Sequence, residues 1–143
     1  MKNTLHYELR VTQSCCNKAV LRELSATGLF PGQPKVLEFL GEHDGCEQKE
    51  IARGCDLEPA TVTGILGRME KAGLILREQR AGNRRSLYVL LTEKGQEALA
   101  QVEHTFCAVD EAAWRGIDEQ EQENFMRMLA KIYQNLSEER QVE

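Results

Sequence analysis

The stretch QRAGNRRS (residues 79–86) gathers three arginines around a Gly-Asn step. LILREQ (74–79) leads into it and SLYVLL (86–91) leads out. Both flanks are rich in Leu, Ile, Val and Tyr, and SLYVLL has strand length. A Gly-Asn step between two such runs is a turn signal. The pattern predicts a β-hairpin with a basic tip. What lies upstream decides what that hairpin belongs to.

Directly before it, EPATVTGILGRMEKAG (58–73) carries Val62, Ile65, Leu66 and Met69 at helical spacing. Pro59 suits the first helical position, where its missing N–H costs nothing. Gly73 is placed to stop the helix. CEQKEIARGC (46–55) reads as a short helix with Ile51 and Ala52 inward and Cys46 at its N-cap position. QPKVLEFLGEH (33–43) reads as another, burying Val36, Leu37 and Leu40. Three helices in succession, the last two joined by a tight turn, form a helix-turn-helix. A hairpin following at once is a wing.

Longer helices flank this unit. Residues 4–25 read as one, with apolar positions near Leu5, Leu9, Cys16, Val20 and Leu24. Thr92 is placed to cap a helix through Trp114, whose apolar Leu99, Val102, Phe106, Val109 and Ala113 alternate steps of three and four. Asp118 is placed to cap a last helix carrying Phe125, Met128, Leu129, Ile132 and Leu136. A helix of about 24 residues is ~36 Å long, more than a small winged core covers. The first helix and the last two are therefore expected to bury their stripes against a second copy of the chain. The expected fold is mainly α with a small β-hairpin wing: a winged helix-turn-helix plus long N- and C-terminal dimerisation helices. Residues 1–143 are read as a single domain, with the DNA-binding part at about 30–91 and dimerisation helices at 1–28 and 92–143.

The net charge of −5 argues at first against a nucleic-acid partner, but its distribution reverses that. Residues 47–91 hold eight basic and six acidic side chains, whereas residues 92–143 hold five and twelve. Salt screens charges beyond ~8–10 Å, so the local basic stretch sets the field a partner feels. MKNTLHYELR at the start has no signal-peptide core, and no run approaches a membrane span, so no membrane partner is expected and a cytoplasmic location is. No acid, base and nucleophile constellation points to an enzyme. Cys15, Cys16, Cys46, Cys55 and Cys107 form no zinc-ligand spacing and read as reduced structural thiols, and His6, His43 and His104 form no ligand set, so neither a metal nor a cofactor is expected.

The outward face of the 59–71 helix carries Ala60, Thr61, Thr63, Gly64, Gly67, Arg68 and Lys71. Small and hydroxylated residues near the start, basic ones toward the end, suit a helix entering the major groove. Two glycines inside a helix each cost roughly 1 kcal/mol relative to Ala. Close approach to a partner surface accounts for them; burial does not.

With LFPGQPKVLEFL, PATVTGILGRMEKAGLI, the wing NRR and LTEKG after the second wing strand, the chain resembles the MarR family of bacterial transcription regulators over roughly residues 29–99. The resemblance implies a homodimer on double-stranded DNA with a pseudo-palindromic operator. Its recognition helix would be Pro59–Lys71, with Ala60, Thr61, Thr63, Gly64 and Arg68 as contacts and Gln48 and Lys49 near phosphates. Arg80, Asn83, Arg84 and Arg85 would serve the wing. The family's usual wing pattern is Asp-Arg-Arg, its acid supporting a wing arginine; Asn83 offers no charge, so a less rigid, more positive tip is expected. The resemblance also implies a repressor relieved by a small aromatic or lipophilic effector, though no residue identifies that ligand. Oxidant sensing seen in some relatives does not carry over to Cys15 and Cys16, which lie too close to LFPGQ. Two alternatives stand beside this reading: a winged-helix protein-interaction module, and a cysteine-based redox-sensing regulator.

Overall fold

The computed structural model describes residues 3–139. The chain divides inside its fifth helix into two compact units, residues up to Val109 and residues from Asp110 on.

In the first unit, α1 (Leu5–Glu23) is followed by a single 3-10 turn, α2 (Gln33–Glu42), β1 (Cys46–Glu47), α3 (Gln48–Gly54), α4 (Pro59–Lys71), β2 (Ile75–Arg80), β3 (Asn83–Leu91) and the greater part of α5 (Glu93–Ala113). The three strands form an antiparallel sheet in the order β1-β3-β2. Val36, Leu37 and Leu40 of α2, Ile51 of α3 and Val62, Ile65, Leu66 and Met69 of α4 close on Ile75 and Val89 of the sheet. Full burial of each such side chain contributes roughly 1.5–3 kcal/mol relative to exposure. The α4 stripe expected from its spacing is the buried one.

Three local features differ from the sequence reading. Cys46 does not cap α3: it pairs with Val89 in the two-residue strand β1, and Glu47 takes the cap, exchanging bonds with Glu50. A two-residue strand gives no periodicity to read. The wing turns at Ala81-Gly82 rather than Gly-Asn; Gly82 supplies φ of 85°, and Asn83 already pairs with Arg80. Arg80 therefore stands at the tip of the hairpin. Third, the early part of the α5 stripe does not await a second copy. Leu99 and Val102 are buried in the chain's own core, together with Leu24 after α1. The core thus extends past residue 91.

The junction after α4 explains the motifs KAG and LTEKG. Gly73 adopts φ of 76°, ending the helix. Thr92 donates its hydroxyl proton to the Gly73 carbonyl at 2.6 Å and accepts the Gly95 N–H at 3.0 Å, capping α5. Lys94 Nζ donates to the Ala72 carbonyl at 2.7 Å, where the α4 dipole is negative. Gly95 packs so close to the Leu74 carbonyl that a Cβ would collide with it.

In the second unit, the end of α5 turns through Gly116 into α6 (Glu119–Glu139). Asp118 and Glu121 exchange backbone-to-side-chain bonds of 2.9 and 3.1 Å, a capping box. Trp114 meets Phe125 edge-on at 5.7 Å. Phe125, Met126, Met128, Tyr133 and Leu136 of α6 are exposed, and α1 buries no residue.

Gly95→Ala is expected to lower the thermal unfolding midpoint by about 5 °C or more, because the added methyl must push α5 off the Leu74 carbonyl. Gly67→Ala, where a Cβ meets nothing, serves as the control and leaves the midpoint unchanged or higher.

Candidate nucleic-acid interface

With Val62, Ile65, Leu66 and Met69 turned inward, α4 leaves Ala60, Thr61, Thr63, Gly64, Arg68 and Lys71 exposed. A Cβ at Gly64 or Gly67 would have nothing within 4 Å. Packing within the chain does not require either glycine.

A cleft of about 670 Å³ lies between α3, the start of α4 and β3. Gln48, Lys49, Thr63 and Arg85 line it, so four side chains singled out from sequence meet in one concavity. The exposed Lys49 pairs at 3.0 Å with Glu47, whose side chain is mostly covered. The Glu47 carboxyl is held below its ordinary range, first by its bond with Lys49 and then by Ser86. Arg68 lies apart, lining a smaller recess of about 230 Å³ with Lys94 and Gln101. Ala60, Thr61 and Gly64 line neither space and lie along the open face of α4.

Thr63 and Gln48 are not independent. Gln48 Nε2 donates to Thr63 Oγ1 at 3.0 Å, and Thr63 donates to the Pro59 carbonyl at 3.0 Å. Behind them stands Arg77 of β2, a residue that sequence reasoning did not single out. Its guanidinium forks onto Glu70 at 3.0 and 3.3 Å and extends Nη1 to Gln48 Oε1 at 3.5 Å. These bonds hold the Glu70 carboxyl below the usual range. The signal that would have found Arg77 is its seven-residue offset from Glu70 across the helix stop at Gly73, which folds β2 back beside α4.

At the wing tip, Arg80 folds back. Its guanidinium lies 4.0 Å from the centroid of the Tyr88 ring and donates to the Gly45 carbonyl at 3.2 Å. Asn83 Nδ2 donates to the Tyr88 hydroxyl at 3.4 Å. Tyr88 ties both Arg80 and Asn83 to the sheet, and the Glu78 carboxylate lies 3.9 Å from Arg80 Nε. Arg84 and Arg85 are exposed, and among the described residues neither forms an ion pair. Both fall where the pairing register of β2 and β3 shifts, and Arg85, unlike Arg84, lines the cleft.

His43 is a packing histidine, stacked on Phe39 at 4.2 Å with Nδ1 against the Phe39 carbonyl. Burial, and then the Glu50 carboxylate, pushes the Cys46 thiol up to about 11. Burial raises Cys55 as well. Neither thiol is poised as a thiolate at neutral pH. Among the described residues, no helix is long and apolar enough to cross a membrane.

The MarR family profile matches residues 29–87, spanning α2, α3, α4 and most of the wing. The transcriptional regulator HosA of Escherichia coli is 32% identical over 100 residues, covering 70% of this chain and 74% of the relative. The chain belongs to the MarR family. Another relative, a putative transcriptional regulatory protein for the hcr operon of Thauera aromatica, is 24% identical over 139 residues, 96% of this chain and 84% of the relative. Among solved structures, the repressor CouR bound to a 23-mer DNA duplex superposes with a TM-score of 0.82 at 26% identity, covering 91% of this chain and 92% of that one. This MarR-family chain is accordingly a transcription regulator.

In native protein at pH 8, iodoacetamide is expected to modify Cys46 and Cys55 at least about tenfold more slowly than in urea-unfolded chain, since the neutral thiol does not react. Equal rates in the two states, read by peptide mass spectrometry, would contradict the burial of these thiols.

Proposed function

We propose that this MarR-family regulator binds a pseudo-palindromic DNA operator as a homodimer and represses transcription until a small molecule releases it. One observation carries the reading: Thr63 at the start of α4, its partner Gln48, Lys49 and Arg85 line one cleft, beside the exposed Ala60, Thr61 and Gly64. α4 would enter the major groove. Ala60 and the threonine methyls would meet thymine methyls, while Gly64 would let the helix backbone come close to the duplex. Lys49, and Arg68 farther along α4, would neutralise phosphates or reach guanine. Arg84, exposed and outside the cleft lining, suits the minor groove, and Arg85 a phosphate at the cleft edge. Arg80 and Asn83 would act by holding the tip rather than by touching DNA. CouR, similar in fold and sequence, binds duplex DNA, which favours the same partner here.

Dimerisation is supported by α1, which buries nothing, and by the exposed apolar face of α6. We assign residues 1–28 and the distal part of 92–143 to that role, with the DNA-binding part at about 30–91. A small aromatic or lipophilic effector would act by population shift, favouring a dimer whose wings no longer match half-sites one helical turn apart. A regulator of this kind works in the cytoplasm, where the DNA is, without catalysing a reaction.

Duplex selection from random DNA followed by anisotropy titration tests the reading. Wild-type affinity should fall steeply with salt, and Arg84→Ala/Arg85→Ala should weaken specific and scrambled duplexes alike, flattening the log–log salt slope by about 2 to 4 units per dimer. Arg68→Ala and Thr63→Ala should instead cost selectivity. Binding that ignores salt and survives loss of both wing arginines would overturn it. Gly64→Ala should raise the unfolding midpoint while weakening operator binding, a separation of stability from function that a purely structural glycine would not show.

A further inference from the structure

We propose that Arg77 is a positioning residue for base reading: it fixes which end of the Gln48 amide faces DNA, and so makes the Gln48–Thr63 pair a hydrogen-bond donor to base edges. The inference rests on the DNA-binding reading above and names the chemistry that site would select.

A glutamine amide has a donor end and an acceptor end of nearly equal size, and its last torsion is broad and roughly two-fold. Left alone, it can present either end. The Thr63 hydroxyl does not resolve this, because a hydroxyl accepts or donates as required. Arg77 does. A guanidinium has donors and no acceptor, so the atom 3.5 Å from Nη1 must be the Gln48 oxygen. Glu70, an acceptor with no proton to give when ionised, grips the same guanidinium at two points, 3.0 and 3.3 Å away. The chain of polarity then runs one way. Glu70 orients Arg77, Arg77 takes the Gln48 oxygen, and Gln48 Nε2 gives one proton to Thr63. The Thr63 proton goes to the Pro59 carbonyl.

Within the Gln48–Thr63 pair, the side-chain proton not yet placed is the second one on Gln48 Nε2, at the wall of the open cleft. Toward a partner the pair offers that N–H and the Thr63 methyl. The matching major-groove edges are acceptors: guanine O6 or N7, thymine O4 with its methyl, or adenine N7. Cytosine, which presents the N4 amino donor there, is the mismatch. The side chain is about four-fifths covered, so Arg77 acts from behind and does not itself meet DNA.

The test uses the full chain and the duplex selected by wild type, with every base substituted in turn at each half-site position. Wild type should discriminate against cytosine at one position of each half-site. Arg77→Met should relax that discrimination roughly three- to ten-fold, the weight of one hydrogen bond, while affinity for scrambled duplex and the salt slope stay as they were. Gln48→Met should relax the same position, and Gln48→Met/Arg77→Met should go no further than Gln48→Met alone. Gln48→Glu, acceptor at both ends, should shift the preference toward cytosine or adenine. Should Arg77→Met fail to fold by its thermal transition, Glu70→Gln leaves Arg77 in place with a loosened grip and should relax the same position to a lesser degree. Unchanged base preference in folded Arg77→Met, or a uniform loss that includes scrambled duplex, would overturn the inference while leaving the DNA-binding reading intact. A wild-type protein that selects no sequence would instead overturn both.

Discussion

The geometry of the DNA-facing side depends on how the end of α4 is locked to the start of α5. Gly95 lets α5 lie against the Leu74 carbonyl, Thr92 bridges Gly73 and Gly95, and Lys94 neutralises the carbonyl end of α4. A helix placed only by its apolar stripe could slide or roll by a fraction of a turn. These polar bonds remove that freedom at the point where β2 departs. The wing therefore leaves α4 at a defined angle, and β2 folds back so that Arg77 reaches both Glu70 and Gln48.

From that lock the polar side of the molecule follows in order. Glu70 and Arg77 join the helix to the wing, Gln48 joins both to α3, and Thr63 returns the chain of bonds to the first turn of α4. At the far end of the hairpin a second set does comparable work with different chemistry. Tyr88 presents its ring to Arg80 and its hydroxyl to Asn83, holding the tip while Arg84 and Arg85 stay exposed. One anchored arginine and two that form no ion pair among the described residues thus sit within six residues of each other. Composition alone treats them as one basic cluster.

The α4 stripe was legible because four apolar residues at helical spacing leave one face to bury, and the structure buries Val62, Ile65, Leu66 and Met69. Pro59, Thr92 and Asp118 were legible because their local chemistry marks helix starts, and family resemblance aligned the whole. What sequence did not show involves partners far apart along the chain. β1 is two residues long and exists through its pairing with Val89 and Tyr88. Leu99 and Val102 look like a coiled-coil seam until they are seen in the buried core, with Gly41 of α2 opening the space for Leu99. Arg77 and Arg80 looked like two more charges of a basic stretch, because contacts to Gln48 and Gly45 span 29 and 35 residues. Among the candidate contacts, the cleft gathers Gln48, Lys49, Thr63 and Arg85 and leaves Arg68 elsewhere, a division that follows from the fold and not from spacing.

The central claim is that the open face of α4 and the wing tip form one surface for duplex DNA. Amide hydrogen exchange of the full chain, with its selected duplex and with a scrambled one, measures this most directly. The account predicts slowed exchange across residues 59–68 and 80–86 with the selected duplex, weaker slowing confined to the wing with the scrambled one, and no direct protection of α2. Protection concentrated in α6 or α2, with α4 and the wing exchanging as in the unbound protein, would contradict it.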